Sequence, residues 1–154
     1  MMSRGYFGVG VCYGKSAQNI GTLMRSAYCF GAAFVFTVGE RYPKQASDTV
    51  KSWRHVPLYH FGTVADLKAH LPHSCQLVGI EMDERAKPLG KFTHPERACY
   101  LLGAEDHGLT GAALDACHVL VMVPGASRCL NVSVAGSIVL FDRMQGIPDP
   151  GQVG

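Results

Sequence analysis

The stretch 124–144, PGASRCLNVSVAGSIVLFDRM, constrains this chain most. It starts as a loop at Pro124, Gly125 and Ser127. It then runs into a segment where Val132, Val134, Ala135, Ile138, Val139, Leu140 and Phe141 leave almost no polar face before Asp142 and Arg143. A helix this apolar has to be buried on most sides, in its own core or against another subunit. Polar Asn131, near Arg128 and Cys129, stands at its mouth. A buried helix whose entrance keeps polar groups, just after a strand, is a place for a ligand.

Upstream, strands and helices alternate. Residues 5–13 read as a strand of β-formers with glycines, and 19–32 as a helix. In that helix Ile20, Leu23, Met24, Ala27 and Phe30 share one face. Asn19 is its expected N-cap and Gly31 its stop, and Arg25 points away from the core. Strands follow at 33–39, 57–61, 75–82, 98–105 and 118–124, with helices at 63–71 (capped by Thr63, ended by Pro72) and 109–117. Residues 40–56 form a polar connection with a possible helical turn, and 83–97 a charged loop. The pattern predicts an α/β fold with a mostly parallel sheet flanked by helices. Residues 1–146 are expected to be one domain, and the Pro/Gly-rich residues 147–154 a flexible tail.

In parallel sheets ligands bind beyond the carboxyl ends of strands. Three such ends carry polar or glycine residues: Ile80-Glu81-Met82, Gly103 to Gly108, and Val123 to Asn131. One composite pocket built from the three loops is expected. Other signals are weaker. Gly8 and Gly10 lie inside a strand and lack the third glycine of a dinucleotide fingerprint, so close packing explains them better. His70 and His73 flank Pro72 with no clustered partner, and no histidine shows metal spacing, so no metal is expected. The six cysteines include no C-x-x-C pair and no signal peptide precedes them, which favours reduced thiols and a cytoplasmic location. Cys129, at a helix start, is a candidate nucleophile, but sequence places no base against it. No apolar run is long enough to span a membrane.

A net charge of +2 neither demands nor excludes RNA, so the distribution of charge has to decide. Within 41–54, Arg41, Lys44, Lys51 and Arg54 face the single acid Asp48, with Tyr42 and Trp53 interleaved. Cations bind phosphates and aromatic rings stack on unpaired bases, so this segment is a candidate RNA-binding surface. A solvated connection whose Trp packs on the domain is the plain alternative.

Three segments in order carry a resemblance. Asn19-Ile20-Gly21 with Arg25, Ala27 and Phe30-Gly31-Ala32 resembles the first motif of the SpoU (TrmH-like) branch of the SPOUT RNA methyltransferases. Leu102-Gly103-Ala104-Glu105-Asp106-His107-Gly108-Leu109 resembles the second, and Val123-Pro124 through Leu130-Asn131-Val132-Ser133-Val134-Ala135 the third. The resemblance implies a C-terminal deep trefoil knot whose loops hold S-adenosylmethionine. It also implies a homodimer joined through the C-terminal helix, and transfer of methyl to ribose 2′-hydroxyls of tRNA or rRNA. It places Arg25 at the RNA and in catalysis, completing the partner subunit's site, with Asn19, Glu105 and Asn131 orienting polar groups. Ile80, Glu81, Gly103, Gly108, Val123, Pro124, Cys129 and Leu130 would contact the cofactor. The family usually has serine at the position of Cys129, and the loop from Pro124 to Asn131 is shorter here than its commonest form. A non-catalytic RNA- or cofactor-binding module that kept the fold is the alternative, and an unrelated nucleotide-binding α/β enzyme a third reading.

Overall fold

A computed structural model describes residues 5–39, 51–125 and 130–145. Arg41, Lys44, Arg128 and Cys129 lie outside the described residues, as does the tail expected at 147–154. The elements are β1 (Tyr6–Cys12), α1 (Ala17–Phe30), β2 (Phe34–Val38), β3 (Leu58–Phe61), α2 (Val64–Ala69) and β4 (Gln76–Ile80), then β5 (Lys87–Pro88), β6 (Arg97–Leu102), α3 (Gly111–Ala116), β7 (Val119–Met122) and α4 (Val132–Met144). Short 3-10 turns cover Ser52–Arg54, as the polar connection suggested, and Leu89–Lys91.

All strand pairs are parallel, in the order β3-β2-β1-β6-β4-β7-β5. Six strands match the expected ones with ends trimmed by a few residues. The seventh, β5, lies in what reads as a charged loop. Two residues show no periodicity, and Pro88 is tolerated because β5 is an edge strand. The chain winds outward from β1 to β3, crosses to β4, and brings β6 back between β1 and β4. That reversal is where a crevice opens at the carboxyl ends of the strands.

The sheet separates two apolar layers. Phe7, Val9 and Val11 of β1 pack with Leu23 and Ala27 of α1 and with Val139 and Leu140 of α4. Phe36, Leu77 and Leu101 pack with Leu67 of α2 and Ala113 of α3 on the other side. Burying each such Leu, Val or Phe stabilises the fold by about 1.5–3 kcal/mol. Gly8 and Gly10 now have a packing reason. A Cβ on either would overlap the ring of Phe34 or Phe36, so the aromatic residues of β2 fill the space that the glycines leave.

Helix α1 begins earlier than expected. Ser16, not Asn19, is its N-cap: Ser16 Oγ accepts from Asn19 N–H at 3.3 Å. Both residue types cap well, and the first one wins here because the Asn19 side chain is engaged elsewhere. Gly31 ends the helix with φ 80°, a left-handed conformation that favours glycine. Arg25 is exposed, as the helical wheel requires. Thr63 caps α2 as expected.

Within one chain α4 is buried on one side only, which leaves its other side for the second alternative, another subunit. Val132, Ser133, Gly136, Val139, Leu140 and Arg143 are buried, but Val134 is 46% and Phe141 55% exposed. Gly136 lets α4 approach α1 closely, since a Cβ there would meet Leu23 Cδ1 at 2.6 Å. Ser137 Oγ donates to Ser133 O at 2.6 Å and lies 2.7 Å from Ser26 Oγ.

The far end of α4 is tied to the sheet by a buried polar cluster. The Arg143 guanidinium donates to Pro95 O (2.7 Å), Glu96 O (2.8 Å) and Tyr100 Oη (3.0 Å), and lies over the Phe7 ring. His94 bridges Tyr100 Oη (2.6 Å) and Asp142 Oδ2 (2.8 Å). Burial lowers the His94 pKa below its ordinary 6.5, although Asp142 opposes the shift. A depressed value means that the unfolded chain binds the proton more readily. The His94 contribution is therefore complete above pH 6.5 and lost as pH falls through the lowered folded value. Thermal melts on both sides of pH 6.5 should show this acid-side loss in the wild type and a smaller one in His94→Gln. Equal losses in both would remove His94 from the pH response.

Among the described residues, Cys12, Cys29, Cys75, Cys99 and Cys117 are unpaired by any disulfide. Burial pushes Cys12 and Cys117 up to about 11, so they stay protonated near neutral pH.

Candidate functional site

The three loops come together. A cavity of about 510 Å³ opens at the carboxyl ends of β4, β6 and β7. Its walls are Ile80, Glu81 and Met82 after β4, the run Leu102 to Gly108 after β6, and Val123, Gly125 and Leu130 after β7. Val132 and Ala135 of α4 close it. Its size and mostly apolar lining suit a small organic ligand with a few polar handles. Pro124 is exposed and does not line it, and Cys129 lies outside the described residues.

The loop after β6 is held tightly. Ala104 and Gly108 exchange backbone hydrogen bonds (2.9 and 3.3 Å), closing a small turn in which Gly108 has φ 63°. A Cβ on Gly103 would overlap the backbone of Gly108 and Leu109, so only glycine fits there. Glu81 clamps the turn from β4. Its carboxylate accepts from Leu109 N–H (2.8 Å) and Met82 N–H (2.9 Å). Glu81 thus shapes the cavity wall as well as facing it, which strand-end position alone does not reveal.

Beside the cavity, one chain of hydrogen bonds joins the three motif segments. Glu105 accepts from Lys15 N–H (3.0 Å), Ser16 N–H (3.3 Å) and Asn19 Nδ2 (3.0 Å). Asn19 Oδ1 in turn accepts from Asn131 Nδ2 at 3.1 Å. Asn131 Oδ1 caps α4, accepting from Ser133 N–H (2.9 Å), Val134 N–H (3.3 Å) and Ser133 Oγ–H (2.7 Å). Lys15 also forms an ion pair with Asp106. Burial alone would raise the Glu105 pKa, but the hydrogen bonds from Lys15 N–H, Asn19 and Ser16 N–H outweigh it and hold the carboxyl below the usual range. Lys15 and Ser16 were not expected here. Their contribution is through backbone N–H groups, which no side-chain pattern advertises.

Arg25 does not line the cavity. It is exposed on α1, six residues and nearly two turns after Asn19. Lys51 and Arg54 are exposed on the chain segment that leads into β3. Among the described residues no group of three or more His, Cys, Asp or Glu could hold a metal ion, and no helix is long and apolar enough to cross a membrane.

The chain is similar to known proteins in sequence and in fold. The profile of the SpoU rRNA methylase family matches residues 11–141. The chain is 29% identical over 135 residues to a 23S rRNA (guanosine-2′-O-)-methyltransferase, RlmB, of Acinetobacter baylyi, covering 81% of this chain and 54% of that protein. It is 27% identical over 133 residues to the tRNA (guanosine(18)-2′-O)-methyltransferase of Escherichia coli, covering 83% of this chain and 58% of the relative. The chain thus spans about half the length of the curated relatives it matches. Its fold superposes on an AdoMet-bound rRNA methyltransferase from Sinorhizobium meliloti with a TM-score of 0.82 at 21% identity, over 96% of this chain and 59% of that one.

Proposed function

This chain belongs to the SpoU rRNA methylase family, and on that premise we propose that it transfers a methyl group from S-adenosylmethionine to a ribose 2′-hydroxyl of tRNA or rRNA. It would do so as a cytoplasmic homodimer joined through α4. The observation that carries the reading is the cavity at the ends of β4, β6 and β7, bordered by the Glu105–Asn19–Asn131 chain. The names of the two relatives, 2′-O-methyltransferases of rRNA and of tRNA, support it.

The residues present fit the cofactor. Ile80, Leu102, Leu130 and Val132 offer apolar walls for an adenine ring. The glycine-tight turn from Gly103 to Gly108 presents backbone groups at close range. Gly103, Val123 and Leu130 would hold adenosine and methionine largely through backbone, with Ile80 and Glu81 at the rim. When bound, S-adenosylmethionine supplies a methyl on a sulfonium, an electrophile that needs no metal.

The chain's own residues then have two tasks. One is alignment, since a nucleophile held in line gains much of its rate from proximity. Glu105, Asn19 and Asn131 fix the mouth of α4 against the start of α1, and so fix the floor on which the ribose rests. The other task is charge. Arg25 keeps its proton in nearly all settings, so it is a poor base. It orients the ribose-phosphate and stabilises the developing alkoxide, while the hydroxyl proton leaves to phosphate or water. Because Arg25 sits outside its own cavity, it would serve the partner's. The exposed Val134 and Phe141, with half-buried Ile138, supply the apolar stripe for that pairing. A C-terminal deep trefoil knot, as the family resemblance implies, belongs to the same reading. So does a single catalytic domain over residues 1–146.

Calorimetry with S-adenosylmethionine and tritium transfer to undermodified tRNA and rRNA test the reading. Saturable cofactor binding and label in one RNA are expected. No cofactor binding under any condition sinks the enzyme; binding without transfer to any RNA leaves a cofactor-binding module. Sedimentation should return twice the chain's mass.

A further inference from the structure

The surface beyond Arg25 carries a feature that cofactor and catalysis do not use. Tyr28, one turn after Arg25 on α1, is 41% exposed. Its ring stacks on that of His55, with centroids 4.8 Å apart and planes 19° from parallel. His55 is exposed as well. Two stacked rings left on the surface contribute little to the core, and Tyr28 lies on the face of α1 that carries Arg25.

The turn beneath this pair is anchored in the core. Ser52, which opens the turn Ser52–Arg54, and Val56, which follows it, are buried, and Trp53 packs against the same core layer that α1 lines. The turn therefore holds His55 in place under Tyr28. Helix α1 carries no acidic residue from Ala17 to Phe30, and residues 51–56 contribute Lys51 and Arg54 with no acid. Arg54 lies over the Trp53 ring at 5.0 Å, which keeps its guanidinium beside the turn.

We propose that the Tyr28–His55 pair, flanked by Arg25, Lys51 and Arg54, is a stacking shelf for an unpaired base of the RNA adjoining the ribose to be methylated. A flat aromatic face among cations is the chemistry that single-stranded RNA recognises, with the ring taking the base and the cations taking phosphates. A duplex keeps its bases stacked on one another and has no use for the ring. The shelf would thus select an unpaired segment. This inference rests on the RNA-methylation reading above.

The test compares Tyr28→Ala, Tyr28→Phe and His55→Ala with the wild type. The readouts are affinity for a single-stranded oligoribonucleotide, affinity for a duplex of the same strand, and KM against kcat on the methylated RNA. Tyr28→Ala should weaken single-strand binding and raise KM roughly ten- to a hundredfold with kcat little changed. Tyr28→Phe should stay near wild type because it keeps the ring, and His55→Ala should show a smaller loss in the same direction. Duplex affinity should not move. The shelf is overturned if both alanine variants bind single strands like wild type, if Tyr28→Phe loses as much as Tyr28→Ala, or if duplex and single strand weaken alike. Calorimetric binding of S-adenosylmethionine certifies that each variant is folded. A wild type that methylates no RNA overturns the methyltransferase reading and the shelf together, whereas an active wild type with unaffected variants overturns the shelf alone.

Discussion

Arg25→Ala is expected to lower methyl transfer by roughly 10²–10³-fold while S-adenosylmethionine binds as before. The separation follows from position. Arg25 is exposed on α1 and contributes nothing to the cavity walls, so its loss leaves the cofactor contacts in place. It also leaves the fold in place, since the α1 core face is made by Ile20, Leu23, Met24 and Ala27. The variant does remove the one α1 cation that the proposal sets against the ribose-phosphate. Lysine should not rescue it fully, because a point charge lacks the planar fork that grips two oxygens. Steady-state transfer and calorimetry on the same preparation decide the matter, and retained turnover removes Arg25 from the mechanism. The same variant tests whether the site is shared. Co-expressed with a variant whose own Glu105 is replaced, Arg25→Ala supplies an intact cavity and receives an intact arginine from its partner. Partial return of transfer in the mixed dimer is expected if Arg25 acts across the interface. Two inactive parents giving an inactive mixture would place Arg25 in its own subunit's site.

What the sequence made legible followed from periodicity and strand-end logic. Continuous apolar runs such as Phe34–Val38 and Ala98–Leu102 announce buried parallel strands, and the structure has them. The pocket could be assembled in advance because ligands in parallel sheets bind beyond the carboxyl ends of strands, and the loops after β4, β6 and β7 carry polar and glycine residues there. Four things stayed hidden for physical reasons. Strand β5 is two residues long and leaves no pattern. The helix start at Ser16 could not be separated from Asn19, since both are good caps; only the tertiary partners of Asn19 decide between them. Backbone donors are also invisible in sequence, and so Lys15 and Ser16 went unnoticed as partners of Glu105. The buried Arg143 is a fourth instance. An arginine at the end of an apolar helix reads as a solvated terminus, yet here it gathers the carbonyls of Pro95 and Glu96.

Glu105→Gln is expected to lower kcat/KM by about 10²-fold, with only a small change in melting temperature. The carboxylate accepts from two backbone N–H groups and one side-chain amide. An amide in its place turns a donor toward those donors, and at least one contact has to break. The Asn19 side chain is then free to rotate, and with it goes the hold on Asn131 at the mouth of α4. The stability cost stays low because Glu105 is exposed, and water can solvate the groups released. A large kinetic effect with a small thermal one is therefore the mark of positioning. The pH dependence runs in a defined direction. The hydrogen bonds hold the Glu105 carboxyl below the ordinary 4.5, so its contribution is complete above that value and lost as pH falls through the lowered one. Melts of wild type and Glu105→Gln should thus differ most above pH 4.5 and converge in more acid solution. Should kcat/KM survive the substitution, the chain from Glu105 through Asn19 to Asn131 is a feature of the fold and not of the reaction, and the site must be oriented by the Glu81 clamp on Leu109 instead.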